Sequence, residues 1–208
     1  AFTVENPYNR RQREVPIAPG LVHSIVFWSK NYGPFLKAAI GEQLREMGYG
    51  LFFNFTLNSP EPLLEPGMPP LTARLRQLET LAARFGPTSL HWRHDPICFF
   101  RVGGGGLQSN LKAFRDIARR AAAAGIRECI TSFCDDYRKI RHRLGPQQPL
   151  CLEFPGAEAQ VPVIEEMLTV LAPLGMRLRT CCEGDLLERL PAGLNLTAGR
   201  CVDHDRLE

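Results

Sequence analysis

Five short apolar runs, each ending in polar and chemically capable side chains and each separated from the next by a helical pattern, constrain this chain more than any other feature. The runs are Ser24–Asn31, Leu51–Thr56, Leu90–Pro96, Cys129–Asp135 and Met176–Glu183. Apolar runs of this length alternating with helix-length segments predict buried parallel strands joined by right-handed crossovers. A buried strand needs only apolar residues, so tails carrying Lys30, Thr56, Arg93, Asp95, Asp135 and Glu183 call for another explanation. In parallel α/β sheets, open or closed, ligands bind beyond the carboxyl ends of the strands. One shared site at those tails is the functional expectation. Strand ends that simply face water are the plain alternative.

The fold class expected is α/β, a partial (β/α) barrel in a single domain over residues 1–208. Strands are expected at His23–Ser29, Gly50–Leu57, Ser89–Asp95, Arg127–Phe133 and Met176–Thr180, all parallel. An opening strand before His23 and a last one near Arg200–Val202 would bring the barrel to six or seven. One helix should follow Gly33-Pro34 and stop at Gly48, because proline suits a first turn and glycine a C-terminal stop. Others are expected from Pro70 to Phe85, from about Ser109 to Ala124, from Asp135 for a turn or so, and within Ala157–Leu174, with Pro162 as its starting point. The segment 58–70 carries five prolines and no apolar periodicity. Structureless loops that long are usually functional, and its place after a strand end makes it a candidate lid. Residues 145–156 read as a proline-rich connection. Gly103–Gly106 lacks the Gly-Lys-Ser/Thr entry of a phosphate loop and reads as a plain loop.

Charge and cysteines set the wider bounds. A net charge of +3 is weak evidence for an anionic partner, and the basic run Arg138–Arg143 reads more simply as a solvated helix face than as a phosphate grip. No stretch approaches the roughly 18 apolar residues of a membrane span, and no leader pattern opens the chain, so a cytoplasmic protein is expected. Seven cysteines without a C-x-x-C pair do not make a disulfide framework.

Arg93-His94-Asp95-Pro96 is the densest chemical cluster. Alternate strand residues share a face, so Arg93 and Asp95 point together and Trp92 and His94 oppositely. Arg93 can pair structurally with Asp95 or grip an anionic ligand bidentately. Pro96 should stop strand pairing there. Lys30, on the face of Trp28, can act as a base or hold an anion. Glu183 is the general acid or base candidate, or else the partner of Lys30 or Arg93. Asp135 reads first as a helix cap. Cys181, Cys182, Cys201, Asp203 and His204 show no standard ligand spacing, so no metal ligand is assigned. A divalent site drawn from His94, Asp95, Asp135, Glu183 and His204 would make the chain a metal-dependent β/α-barrel hydrolase, the rival enzyme reading. A non-catalytic module binding an anionic ligand or nucleic acid is the third.

Trp28-Ser29-Lys30-Asn31, Trp92-Arg93-His94-Asp95-Pro96, Ser132 with Asp135-Asp136-Tyr137-Arg138-Lys139, Cys181-Cys182-Glu183 and Cys201-Val202-Asp203 together resemble one uncharacterised bacterial family, domain of unknown function eighteen-forty-eight. That family is similar, distantly, to radical S-adenosylmethionine proteins of the spore photoproduct lyase kind. The resemblance covers essentially the whole chain. It implies a radical S-adenosylmethionine-like TIM-barrel enzyme with a [4Fe–4S] cluster and S-adenosylmethionine, a small-molecule or nucleic-acid substrate and an electron donor. Lys30, Asp95 and Glu183 would be catalytic. Trp28, Asn31, Thr56, Arg93, Ser132, Asp135, Lys139 and Cys181 would contact substrate or cofactor. Relatives begin with a further strand and carry a downstream C-x3-C-x2-C cluster segment. Both are missing from these 208 residues, so a fragment is expected, with its cluster ligands beyond Glu208.

Overall fold

The computed structural model describes residues 1–138, 140, 149–181, 184–190, 194–199 and 202. Its centre is a six-stranded, wholly parallel sheet of β3 (Ser24–Ser29), β4 (Gly50–Thr56), β5 (Leu90–Ile97), β8 (Glu128–Phe133), β10 (Arg177–Thr180) and β11 (Leu196–Ala198). These six lie side by side in chain order, with no reversal of direction across the sheet. The five strands expected from the apolar runs are all present and all parallel, with ends within two residues of expectation.

The helices form one row: α1 (Gly33–Lys37) against α3 (Leu71–Phe85), α3 against α4 (Phe114–Ala123), α4 against α5 (Ala157–Leu171), and α5 against α6 (Gly184–Arg189). They cover the sheet face that carries Phe27, Phe53, Phe55, Leu90, Trp92, Cys129 and Leu178. Helical periodicity explains the match. Leu71, Leu75, Leu78 and Ala82 on α3, and Phe114, Ile117 and Ala121 on α4, fall on one stripe each and face the core. Under α1 and α3 the core is aromatic: Phe27, Tyr32, Phe35, Phe53, Phe55 and Phe85 meet at 5.0–6.4 Å, mostly edge to face. Each fully buried Phe contributes about 1.5–3 kcal/mol relative to exposure.

Register places the remaining side chains on the opposite face. Trp28 and Asn54 pair in one row, and Thr56, Arg93, Ile130, Arg179 and Thr197 in the next. That face also carries Glu128, with His91 Nε2 at 3.4 Å and an ion pair to Arg179 at 3.3 Å.

Several expectations need correction. No pairing closes the sheet among the described residues: β3 and β11 are its edges, so the partial barrel expected is here an open sheet. The opening strand β1 (Phe2–Glu5) pairs antiparallel with β2 (Gln12–Val15) in a separate exposed hairpin and does not join the main sheet. The last described strand is Leu196–Ala198, while the strand expected near Arg200–Val202 falls on Arg200 and Cys201, outside the described residues. The helix after Gly33 is two helices, because Ala39 takes a left-handed conformation (φ 49°) before α2 (Ile40–Glu46). Helix α5 starts at Ala157, with Pro162 inside it. Pro162 is the sixth residue of the helix, past the first-turn amides that lack partners, so the Glu158 carbonyl forgoes its i→i−4 bond there. Helix α4 starts at Phe114, because Gln108–Ser109 is β7 in a small antiparallel sheet with β6 (Phe99–Val102) and β9 (Leu150–Glu153). The connection read at 145–156 therefore contains a strand. Pro96, joined by a cis peptide to Asp95, does not end pairing: β5 shifts register between His94 and Ile97, and Ile97 pairs with Phe133.

Candidate functional site

The carboxyl ends of β3, β4, β5 and β8 meet the loop 58–70 and the small antiparallel sheet around a cavity of about 550 Å³. Lys30, Asn58, Glu65, Pro96, Cys98 and Cys134 are among the residues lining it.

One connected polar network starts at the lining residues Lys30, Asn58 and Glu65 and continues behind them to Arg74, Asp95, Arg93 and Ser132. Glu65 Oε1 accepts from Lys30 Nζ at 2.5 Å and from Asn58 Nδ2 at 2.9 Å. Arg74 Nη1 lies 3.8 Å from Glu65 Oε2, and its Nη2 donates to the Asn58 carbonyl at 3.3 Å. Asn58 Oδ1 accepts the Asp95 backbone N–H at 2.9 Å, tying loop to strand. Asp95 Oδ2 accepts from Arg93 Nε at 2.9 Å and Nη2 at 2.5 Å, while its Oδ1 accepts from the Ser132 hydroxyl. Charge-assisted bonds of this kind are the strong ones.

The lid candidate 58–70 is thus anchored at its first and middle residues. Asn58 fastens to β5, Ser59 Oγ accepts the Ala113 N–H at 2.8 Å ahead of α4, and Glu65 reaches Lys30.

Burial sets the protonation of the surrounding groups. Arg74, 1% exposed, loses basicity through burial, partly restored by Glu65. Burial acts likewise on Arg93, but the Asp95 carboxylate and its hydrogen bonds, with the nearby Cys181 thiol, outweigh it and raise the guanidinium pKa. His94 lies on the helix side with Trp92, packed on Phe114 as face alternation requires. Burial holds its pKa down to about 4, so the ring is neutral and Nε2–H donates to the Asn110 carbonyl at 3.2 Å.

The expected residues divide as follows. Lys30, Arg93, Asp95 and Ser132 share the network, and Cys181 joins it through Arg93. Thr56 is buried beside Arg93 in the sheet register. Trp28, half exposed, stands on the polar face one row below. Asn31 serves the fold: its Oδ1 accepts from the Gly33 N–H at 3.0 Å and Gln77 Nε2 at 2.9 Å, ordering the entry to α1. Asp135 is exposed and accepts from the Tyr137 hydroxyl at 2.9 Å. Lys139, Glu183, Cys182, Cys201, Asp203 and His204 lie outside the described residues.

Sequence reasoning missed Glu65, Arg74 and Asn58. Arg74 carried a signal, a charged residue on the buried stripe of α3, whereas Glu65 sits in a segment without periodicity.

Among the described residues no three His, Cys, Asp or Glu side chains gather closely enough to hold a metal ion. Of the divalent site in the hydrolase reading, Glu183 and His204 lie outside the described residues, as do Cys182 and Cys201. No described helix is long and apolar enough to cross a membrane.

A sequentially wound parallel sheet with helices on one face and a polar network at its carboxyl end places the molecule in the α/β class. The chain belongs to the family described as Domain of unknown function (DUF1848), whose model matches residues 1–208. No curated protein matches it significantly.

Proposed function

We propose that this chain is the substrate-holding β/α scaffold of a radical S-adenosylmethionine-like enzyme, with the cavity at the carboxyl ends of β3, β4, β5 and β8 as its small-molecule site. The observation carrying this reading is the Lys30–Glu65–Asn58–Asp95–Arg93–Ser132 network beside a cavity of about 550 Å³, a size suited to one small ligand. Strands wound in chain order, with the described helices α1 and α3 to α6 in one row on one side, follow the winding of a β/α barrel; a doubly wound sheet reverses direction at a switch point. The charged face would then be the barrel interior.

Within this reading Asp95, oriented by Arg93 and Ser132, holds a carboxylate next to the lining residue Pro96, and Lys30 with Glu65 forms a charged pair in the cavity wall. Glu65 on the loop 58–70 is 11% exposed, while the Lys30 side chain opens to solvent at 41%. No step is assigned to a cluster. An electron donor remains part of the proposal by resemblance.

The test is anaerobic reconstitution of the gene's complete product with iron and sulfide, followed by reduction in the presence of S-adenosylmethionine. Stoichiometric iron and release of 5′-deoxyadenosine are expected, with release reduced in Asp95→Asn. An iron-free protein that leaves S-adenosylmethionine intact would overturn the reading.

A further inference from the structure

We propose that Cys98 and Cys134 are a two-electron redox site, a dithiol in the cavity wall that closes to a disulfide across the ends of β5 and β8 and reopens on reduction. The two thiols have no part in the functional reading above, although they share its cavity.

Register brings the two together. Ile97 pairs with Phe133, and the Cys134 N–H donates to the Ile97 carbonyl at 2.9 Å, so Cys98 and Cys134 are the next opposed pair on adjacent parallel strands. Neighbouring strands run about 4.8 Å apart, within the roughly 4.4–6.8 Å between Cα atoms that a disulfide spans. Opposed residues in parallel register share a face, and both side chains line the same cavity. Both are free thiols, in hydrogen-bonding contact with each other.

The environments differ in a useful way. The hydrogen bond from Cys98 lowers the Cys134 pKa, favouring its thiolate, while that same bond and burial raise Cys98. An accessible thiolate beside a resolving thiol is the arrangement that oxidant-sensing cysteines use. Cys129, wholly buried and raised by burial, has no comparable access.

With a hydroperoxide as oxidant the chemistry balances. The Cys134 thiolate attacks one peroxide oxygen, the O–O bond breaks, and the departing hydroxide takes a proton to become water. Cys134 is then a sulfenic acid. The Cys98 sulfur attacks the Cys134 sulfur, the S–OH bond breaks, and the hydroxyl leaves as water with the Cys98 proton. Two thiols lose two electrons, and the peroxide gains them.

The full chain, treated with a slight excess of hydrogen peroxide, alkylated and digested, reads this out by mass spectrometry. The expected result is a loss of two hydrogens, a linked peptide joining Cys98 to Cys134, and its disappearance after dithiothreitol. In Cys98→Ser the link should vanish and Cys134 should be trapped by dimedone as the sulfenic acid. A linked peptide between other cysteines, oxidation of exposed Cys151 ahead of Cys134, or full alkylation of both thiols after peroxide would overturn the proposal. The wild-type measurement suffices even if the variant fails to fold.

Discussion

Asp95 touches Arg93 through one carboxylate oxygen and Ser132 through the other, and its own amide is held by Asn58. Arg93 is 5% exposed, so Asp95→Ala strands a buried guanidinium. Removing one partner of a buried pair costs about 3–5 kcal/mol; the partial exposure of Asp95 puts the expected loss near the lower value. Ser132→Ala removes one hydrogen bond to a charged acceptor and should cost about 1.5 kcal/mol. Urea denaturation of both variants checks the order. A second residue-scale expectation concerns acid. His94 has a pKa of about 4 in the fold against an ordinary 6.5, so between those values the unfolded chain takes up the proton more readily. The stability linked to His94 is therefore complete above pH 6.5, falls as the pH drops toward 4, and levels off below, by about 3 kcal/mol in all. Comparing unfolding free energies at pH 7 and pH 4.5 for the protein and His94→Gln tests this; the variant should lose part of the acid dependence. The Arg93–Asp95 pairing was legible in the sequence because i and i+2 in a strand share a face. Glu65 was not, because its contacts with Lys30 and Arg74 arise only when the loop folds back.

Elements were legible where periodicity is long and local. The five central strands and helix α3 follow from apolar runs and a stripe of leucines. The sheet β6, β7 and β9 did not, since its strands are two to four residues long and Phe99 pairs with distant Glu153. The break between α1 and α2 was equally hidden: no glycine or proline marks Ala39, and packing selects its left-handed turn. Close packing of α2 on α3 shows at Gly41, where an added Cβ would lie 2.4 Å from Phe85. Gly41→Ala should thus destabilise by about 1–3 kcal/mol through overpacking, where alanine normally favours a helix, measurable by thermal or urea unfolding. The loop 58–70 gives an element-scale prediction too. Glu65→Ala frees Lys30 and leaves buried Arg74 without its carboxylate, so amide exchange over 61–66 should quicken about tenfold, a local loss of about 1.4 kcal/mol. Unchanged exchange there would mean that Glu65 does not hold the loop.

At the scale of the molecule, the sheet sorts its two faces by chemistry: aromatic and aliphatic toward the helices, charged toward the other side, with the network and cavity at the carboxyl end. The central claim is that this cavity is where the small molecule sits. Cys134 lines it, while exposed Cys151 on β9 does not, so the two thiols report on occupancy directly. The most direct measurement is the rate of thiol alkylation at each, followed by peptide mapping, in the gene's complete product with and without saturating S-adenosylmethionine. The account predicts protection of Cys134 and unchanged reactivity of Cys151; equal rates at Cys134 with and without the ligand would contradict it.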